Sequence, residues 1–212
     1  MLKPLITISL LSILACNASA QQQDQAPSSA TTNPAALLGK NYVEARFFTE
    51  DFRNSGSKNA FGTGVDLNLP TFDNFDIGVN YAFERAASGA PQFTDNTLGT
   101  SFTGFFTVNG VKPFADLDLG YAWQKSKLDG ISDSNDRGIY GAGVGIEVPV
   151  AKSTVFTARA AYDNSFRRDS QHQWIYIAKV DQSIADGIAA QLDVAFHANN
   201  STVYDVGVVF FF

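Results

Sequence analysis

Read two residues at a time, the chain separates into two faces from Asn41 to its end. In AFGTGVDLNLP, Phe61, Thr63, Val65, Leu67 and Leu69 share one face, and Gly62, Gly64, Asp66 and Asn68 share the other. FDIGVNYAF sets Phe75, Ile77, Val79, Tyr81 and Phe83 against Asp76, Gly78, Asn80 and Ala82. ADLDLGYAW repeats the pattern, with Leu117, Leu119, Tyr121 and Trp123 opposite Asp116, Asp118 and Gly120. Successive side chains of a strand point to opposite faces, whereas a helix repeats every 3.6 residues, so strict alternation excludes helices as the main element.

The alternation recurs in ten stretches, at roughly 41–52, 59–69, 74–85, 97–108, 112–125, 137–150, 153–164, 172–183, 187–198 and 201–212. Each is about as long as a tilted strand that crosses a bilayer, some 9–11 residues or slightly more. Strands of soluble sheets average about 5–6 residues. The connections alternate too. TFDN, NG, AK and ADG are tight, and Asn109-Gly110 is a type I′ hairpin signal, since both positions need positive φ. RNSGSKN, AASGAPQFTDN, SKLDGISDSND and SFRRDSQ are longer and polar, and only the last, NNS, is short on that side. An even strand count with short turns on one rim and long loops on the other describes a transmembrane β-barrel.

Composition narrows the surroundings. Hydrophobic residues make up 45% of the 212 and charged residues 17%, which is too apolar for a disordered chain. No apolar run reaches the roughly 20 residues of a membrane-spanning helix. A net charge of -6 argues against nucleic acid as a partner, because phosphate binding needs clustered Lys and Arg. The first twenty residues combine Lys3, an apolar stretch from Leu5 to Ala15 and the triplet Ala18-Ser19-Ala20, a secretory signal with cleavage before Gln21. The rival reading takes ILAC as a lipoprotein box with Cys16 lipidated. Cys16 is the single cysteine, so cleavage after Ala20 leaves a mature chain without disulfides. Residues 21–40, rich in Gln, Ser, Thr, Ala and Pro, read as a flexible periplasmic leader outside a barrel domain at 41–212.

On these features the chain resembles the small outer-membrane β-barrel superfamily of diderm bacteria, the broad class of OmpA-like, OmpX-like and opacity-type barrels. The resemblance covers about residues 41–212 and points to no subfamily. It implies an all-β, ten-stranded, antiparallel up-and-down barrel, a monomer seated in the bacterial outer membrane. It also implies partners: outer-membrane lipids including lipopolysaccharide, and the barrel assembly machinery during insertion. The terminal set Tyr204, Val206, Val208, Phe210 and Phe212 resembles the signal that this machinery reads.

A soluble sandwich would turn its apolar face inward, and a membrane barrel turns it outward to lipid. The second face of this chain decides between them. By strand parity it carries Glu44, Arg46, Asp66, Asp76, Glu84, Asp116, Asp118, Glu147, Arg159, Asp163, Lys179, Asp181, Asp193 and Asp205, alternating with glycines such as Gly62, Gly64, Gly141, Gly143, Gly145 and Gly207. Glycine weakens a water-exposed strand, but glycine beside short acids suits the crowded wet interior of a narrow barrel. The inward acids outnumber Arg46, Arg159 and Lys179, so they must be paired, hydrated, protonated or bound to cations. Two readings follow. In one, Arg159 and Lys179 anchor ion-pair networks that fill the bore. In the other, rings of Asp and Glu line a narrow cation-preferring path.

Catalytic equipment is sparse, and no cofactor or metal is expected. Barrel deacylases pair a rim histidine with a serine in a His-x-Ser-Asn run; here His197 is followed by Ala198 and Asn199, so the serine position is empty. Omptin-type proteases combine ten strands with acidic pairs, which draws attention to Asp116 and Asp118. Yet this chain is far shorter and has no Asp-x-His pair. His172 falls at the loop rim. Lys127, Arg167 and Arg168 in the longer loops are candidates for gripping lipopolysaccharide phosphates.

Overall fold

The computed structural model describes residues 33–52, 59–86, 92–128, 131–167, 172–198 and 201–212. The expected signal segment with Cys16, the leader to residue 32, and Arg168 and Asn199 lie outside the described residues. Ten strands follow one another: β1 (Tyr42–Phe52), β2 (Ala60–Phe72), β3 (Phe75–Ala86), β4 (Gln92–Phe105), β5 (Lys112–Leu128), β6 (Ile131–Ala151), β7 (Thr154–Ser165), β8 (Gln173–Ala185), β9 (Ile188–His197) and β10 (Ser201–Phe211). Each pairs antiparallel with its sequence neighbour, and β10 pairs with β1 from Tyr42↔Phe211 to Phe52↔Ser201, closing the barrel. Closure removes both sheet edges, which in hydrocarbon would leave a row of backbone groups without partners.

The tight turns form as their residues dictate. Asn109 (φ 52°) and Gly110 (φ 82°) both take positive φ between Val108 and Val111, which exchange two backbone hydrogen bonds of 2.8 and 3.0 Å. Asn74 and Gly187 take the left-handed conformation in the turns after β2 and β8.

Three strands run further than the alternation suggests. β4 begins at Gln92 rather than 97, β5 continues to Leu128, and β6 begins at Ile131 rather than 137. Their extra residues form an unbroken ladder, Gln92↔Lys127 and Leu128↔Ile131 at its far end. Above the membrane both faces of a strand meet water, so hydrophobic alternation fades while backbone pairing continues.

The outer wall is apolar. Phe47, Val65, Leu98, Leu117, Leu119, Val144, Leu192 and Val206 all lie about half exposed or more. Aromatic rings sort to the two ends. At the loop rim Trp123 lies 6.5 Å from Tyr81 and 6.2 Å from Tyr121, and Trp174 lies 5.5 Å from Tyr162. At the turn rim stand Phe72, Phe106, Phe210 and Phe212. Amphipathic rings settle at the headgroup level, so the two belts mark where the bilayer begins and ends.

Residues 33–40, which composition groups with the leader, instead fold across the mouth at the turn rim. Ala35, Ala36, Leu37 and Leu38 are buried. Leu37 packs with Tyr42, Ala189 and Val209, Leu38 with Phe105 and Phe114, and Ala35 and Ala36 with Val155. The inner residues of β1, β9 and β10 thus meet one leucine and those of β4 and β5 the other. A bias toward small and polar residues hides this, because four apolar side chains suffice to cover an opening ringed by strand ends.

Candidate functional site: the charged bore and its closed mouth

The candidate site is the interior. Glu44, Arg46, Asp66, Asp76, Glu84, Asp116, Asp118, Glu147, Arg159, Asp163, Lys179 and Asp193 are all buried inside the barrel. Glu50, Asp95 and Arg137 join them. Their parity was legible, since Glu50 continues the even positions of β1. Asp95 and Arg137 fall at or beyond the expected ends of their strands.

Two arginines organise the acids. Arg159 on β7 donates from Nε to Asp116 Oδ2 at 2.9 Å and from Nη2 to Asp118 Oδ2 at 2.7 Å, and Nη2 also reaches Asp116 Oδ1. Both acids stand on β5, so the guanidinium must cross β6 to reach them. It crosses over glycine: register sets Gly141 beside Asp118, Gly143 beside Asp116 and Gly145 beside Arg159. A Cβ at Gly143 would lie 2.7 Å from both Arg159 Nε and Asp116 Oδ1. Gly141 is overlain by Asp163 and Gly145 by the Phe114 ring. The glycine row therefore leaves no free wall; it is the bed on which the network lies.

Arg46 repeats the arrangement on β1, flanked in register by Gly64 and Gly207. Its Nε lies 3.0 Å from Asp66 Oδ2 and its Nη1 3.3 Å from Asp205 Oδ2. Lys179 Nζ lies 3.7 Å from Asp181 Oδ1, and Asp193 is its cross-strand neighbour. Gln191 donates to Glu44 Oε1 at 2.9 Å. Charge pairs like these are expensive to desolvate, and their attraction offsets that cost only where the geometry is good and further hydrogen bonds assist. Buried acids still outnumber Arg46, Arg137, Arg159 and Lys179 several-fold.

At the mouth, the acids take up the incoming segment. Glu147 Oε2 accepts from the backbone N–H of Leu37 at 3.0 Å and of Leu38 at 3.1 Å, while Oε1 lies 3.6 Å from Lys112 Nζ. Lys112 also donates to the Leu38 carbonyl, and Asp76 Oδ2 accepts from Gly39 N at 3.4 Å. Asn33 Nδ2 donates to the carbonyls of Ala151 (2.7 Å) and Thr154 (3.2 Å). Lys40 bonds the carbonyls of Asn33 and Pro34 and sits over the Phe211 ring at 4.7 Å. Burial, then the nearby Lys112 charge, push the Lys40 ammonium down to about 8, with Glu147 opposing. Glu147 and Asp76, which parity assigns simply to the lumen, are here the anchors of a folded segment.

The two histidines divide as the sequence suggests. His172 is exposed and stacks on Tyr162 at 5.7 Å. His197 is buried in the bore, its Nδ1 3.9 Å from Glu50 Oε1. Asp116 and Asp118 are bound to Arg159. Among the described residues no group of three or more His, Cys, Asp or Glu is arranged to hold a metal ion.

A closed even-stranded barrel with an apolar exterior, aromatic belts and a charged interior is a transmembrane β-barrel of the bacterial outer membrane. The chain belongs to the outer membrane protein beta-barrel domain family, whose profile matches residues 8–205. Among solved structures it is similar to the translocator domain of the autotransporter NalP from Neisseria meningitidis. That likeness has a TM-score of 0.53 at 11% identity and covers 82% of this chain and 88% of that one. It is also similar to Neisserial surface protein A (TM-score 0.48, 14% identity, 81% and 97% covered) and to Ail of Yersinia pestis (0.41, 12%, 82% and 97%). A search of curated proteins returns no matching relative. At these identities the structural likeness speaks for the fold alone.

Proposed function

We propose that the protein is a closed, monomeric outer-membrane barrel with a structural and surface-interacting role, without catalysis and without a standing transport path. The observation that carries this reading is the segment Asn33–Lys40, which covers the turn-side mouth and bonds or packs against β1, β3, β4, β5, β6, β7, β9 and β10. The Arg159 and Arg46 networks fill the inner wall above it, joining β7 to β5 and β1 to β2 and β10. A ten-stranded barrel is only slightly wider than the eight-stranded kind that its own side chains fill.

The surplus of inward acids supports a second reading, a narrow cation-preferring path that opens when the segment leaves. Planar-bilayer conductance separates the two. The refolded full barrel is expected to be silent, whereas a Leu37→Asp, Leu38→Asp variant, whose buried charges expel the segment, tests the path beneath it. Steady unitary currents from the intact chain would sink the closed-barrel reading.

The outward face of β10 is a candidate for the signal read during assembly. Tyr204, Val206, Val208, Phe210 and Phe212 face outward, while Asp205 and Val209 are buried inside. Phe212 also donates its backbone N–H to the Asn41 carbonyl at 3.2 Å. Deletion of Phe212 is expected to lower insertion in cells several-fold while refolding in detergent proceeds nearly as before. Equal impairment in both settings would reduce the residue to its packing.

A further inference from the structure

We infer that the outer wall of β3–β6, just beyond the aromatic belt at the loop rim, is a binding site for the phosphate groups of an anionic outer-leaflet glycolipid such as lipopolysaccharide. This rests on the lipid-embedded reading given above and assigns one of its surface contacts to particular residues.

The register builds the site. Cross-strand pairing aligns Phe83, Asn96 and Trp123 in one outward row, and Arg85, Thr94, Lys125 and Ser134 in the row above it. The next outward row pairs Lys127 with Ser132. At about 3.3 Å per residue, cations two positions beyond the aromatic ring lie roughly 7 Å further from the membrane centre, where headgroup phosphates begin. Strands are about 4.8 Å apart, so Arg85 and Lys125 stand roughly 10 Å from each other with the Thr94 hydroxyl between. A phosphate can be gripped from both sides at that spacing.

Three further observations favour an anionic lipid. Arg85, Lys125 and Lys127 are exposed, and among the described residues no ion pair engages any of them. Of the residues lining a groove of about 480 Å³ at this rim, Thr94, Ser132 and Ser134 share the outward rows with the three cations, so hydroxyl donors accompany the charges. Asp133 lines the same groove and Asp136 follows on the Trp123 row; together they offset only part of the positive charge. Below the cations the wall continues as Tyr81, Leu98, Tyr121 and Leu119, an apolar surface for acyl chains attached to the bound headgroup. A soluble anion would make no use of that wall.

The experiment titrates the refolded full barrel, held in a zwitterionic detergent, with bisphosphorylated lipid A and counts retained lipid by native mass spectrometry. A triple variant, Arg85→Gln, Lys125→Gln and Lys127→Gln, is expected to bind more weakly by roughly fivefold per removed charge, on the order of 100-fold in all. Lys152→Gln at a turn on the opposite rim is expected to bind normally, and a heat-modifiable gel shift confirms folding of each variant. Lipid A stripped of its phosphates should match the loss seen in the triple variant, and excess inorganic phosphate should fail to displace the intact lipid. The site is overturned if the triple variant retains lipid A like the parent or if the phosphate-free lipid binds equally well. Displacement by inorganic phosphate would overturn the lipid as its occupant. Conductance plays no part in these readouts, so a failure here is separate from a failure of the closed-barrel reading.

Discussion

Arg159→Met is expected to destabilise the barrel by about 3–5 kcal/mol, the cost of leaving buried acids without their counter-charge. Methionine keeps the apolar stem of the side chain as far as the Nε position, where it lies over Gly143, so the loss is chiefly that of the guanidinium charge. Asp116 and Asp118 would then stand side by side on the inner face of β5 with neither guanidinium bond, and Asp163 would lie close by over Gly141. The check is a urea midpoint for the barrel refolded into lipid vesicles, read by tryptophan fluorescence from Trp123 and Trp174. Adding Asp116→Asn and Asp118→Asn to the methionine variant should recover much of the loss, because removing all the charges together is far less damaging than removing one sign. Arg159→Lys should fall between, since one ammonium cannot bridge both carboxylates in the way a guanidinium fork does. A midpoint for Arg159→Met within experimental error of the parent would mean that the network contributes nothing to the fold.

Glu147→Ala is expected to free the segment Asn33–Lys40 from the mouth. The substitution takes the acceptor from two backbone N–H groups, Leu37 and Leu38, and removes the acid beside Lys112. Each buried donor left without a partner costs about 1–3 kcal/mol, so two of them together weigh against the burial that holds the segment. Limited proteolysis of the refolded chain should then cut within 33–40 while β1 to β10 stay protected, and the parent should resist cutting there. Glu147→Gln is the informative companion. It keeps a carbonyl acceptor for the two N–H groups and loses only the ion pair, which is 3.6 Å long and partly exposed at its lysine end, so it should retain the segment with a loss of about 1 kcal/mol or less. If Glu147→Ala resists proteolysis as the parent does, the leucines and the bonds made by Asn33, Asp76 and Lys112 hold the segment without it.

These two expectations show how unevenly the interior could be read beforehand. The direction of nearly every inward side chain was legible, because parity along one strand is enough to place Asp116, Asp118 and Arg159 on one face. Their partnership was not legible, since it depends on β6 presenting Gly141 and Gly143 at the one height where a β7 arginine can reach two β5 acids. The same glycines, read along the chain, show only that no side chain is present; read across the sheet, they are covered. Asp95 and Arg137 escaped because the hydrophobic signal ends where the bilayer ends, although the ladder does not.

The sequence by itself determined the strand number, the two faces and the membrane. Each of these follows from a local period of two and from the lengths of the connections, properties that neighbouring residues express without knowledge of the rest of the chain. Only the tertiary structure decided which charges meet, that the glycine row is a bed and not a channel wall, and that residues 33–40 close one mouth. Those outcomes depend on register between strands and on a contact ring drawn from nearly the whole circumference. Alternation fixes where a side chain points, but distance across a closed barrel is set by pairing, and no single strand contains it.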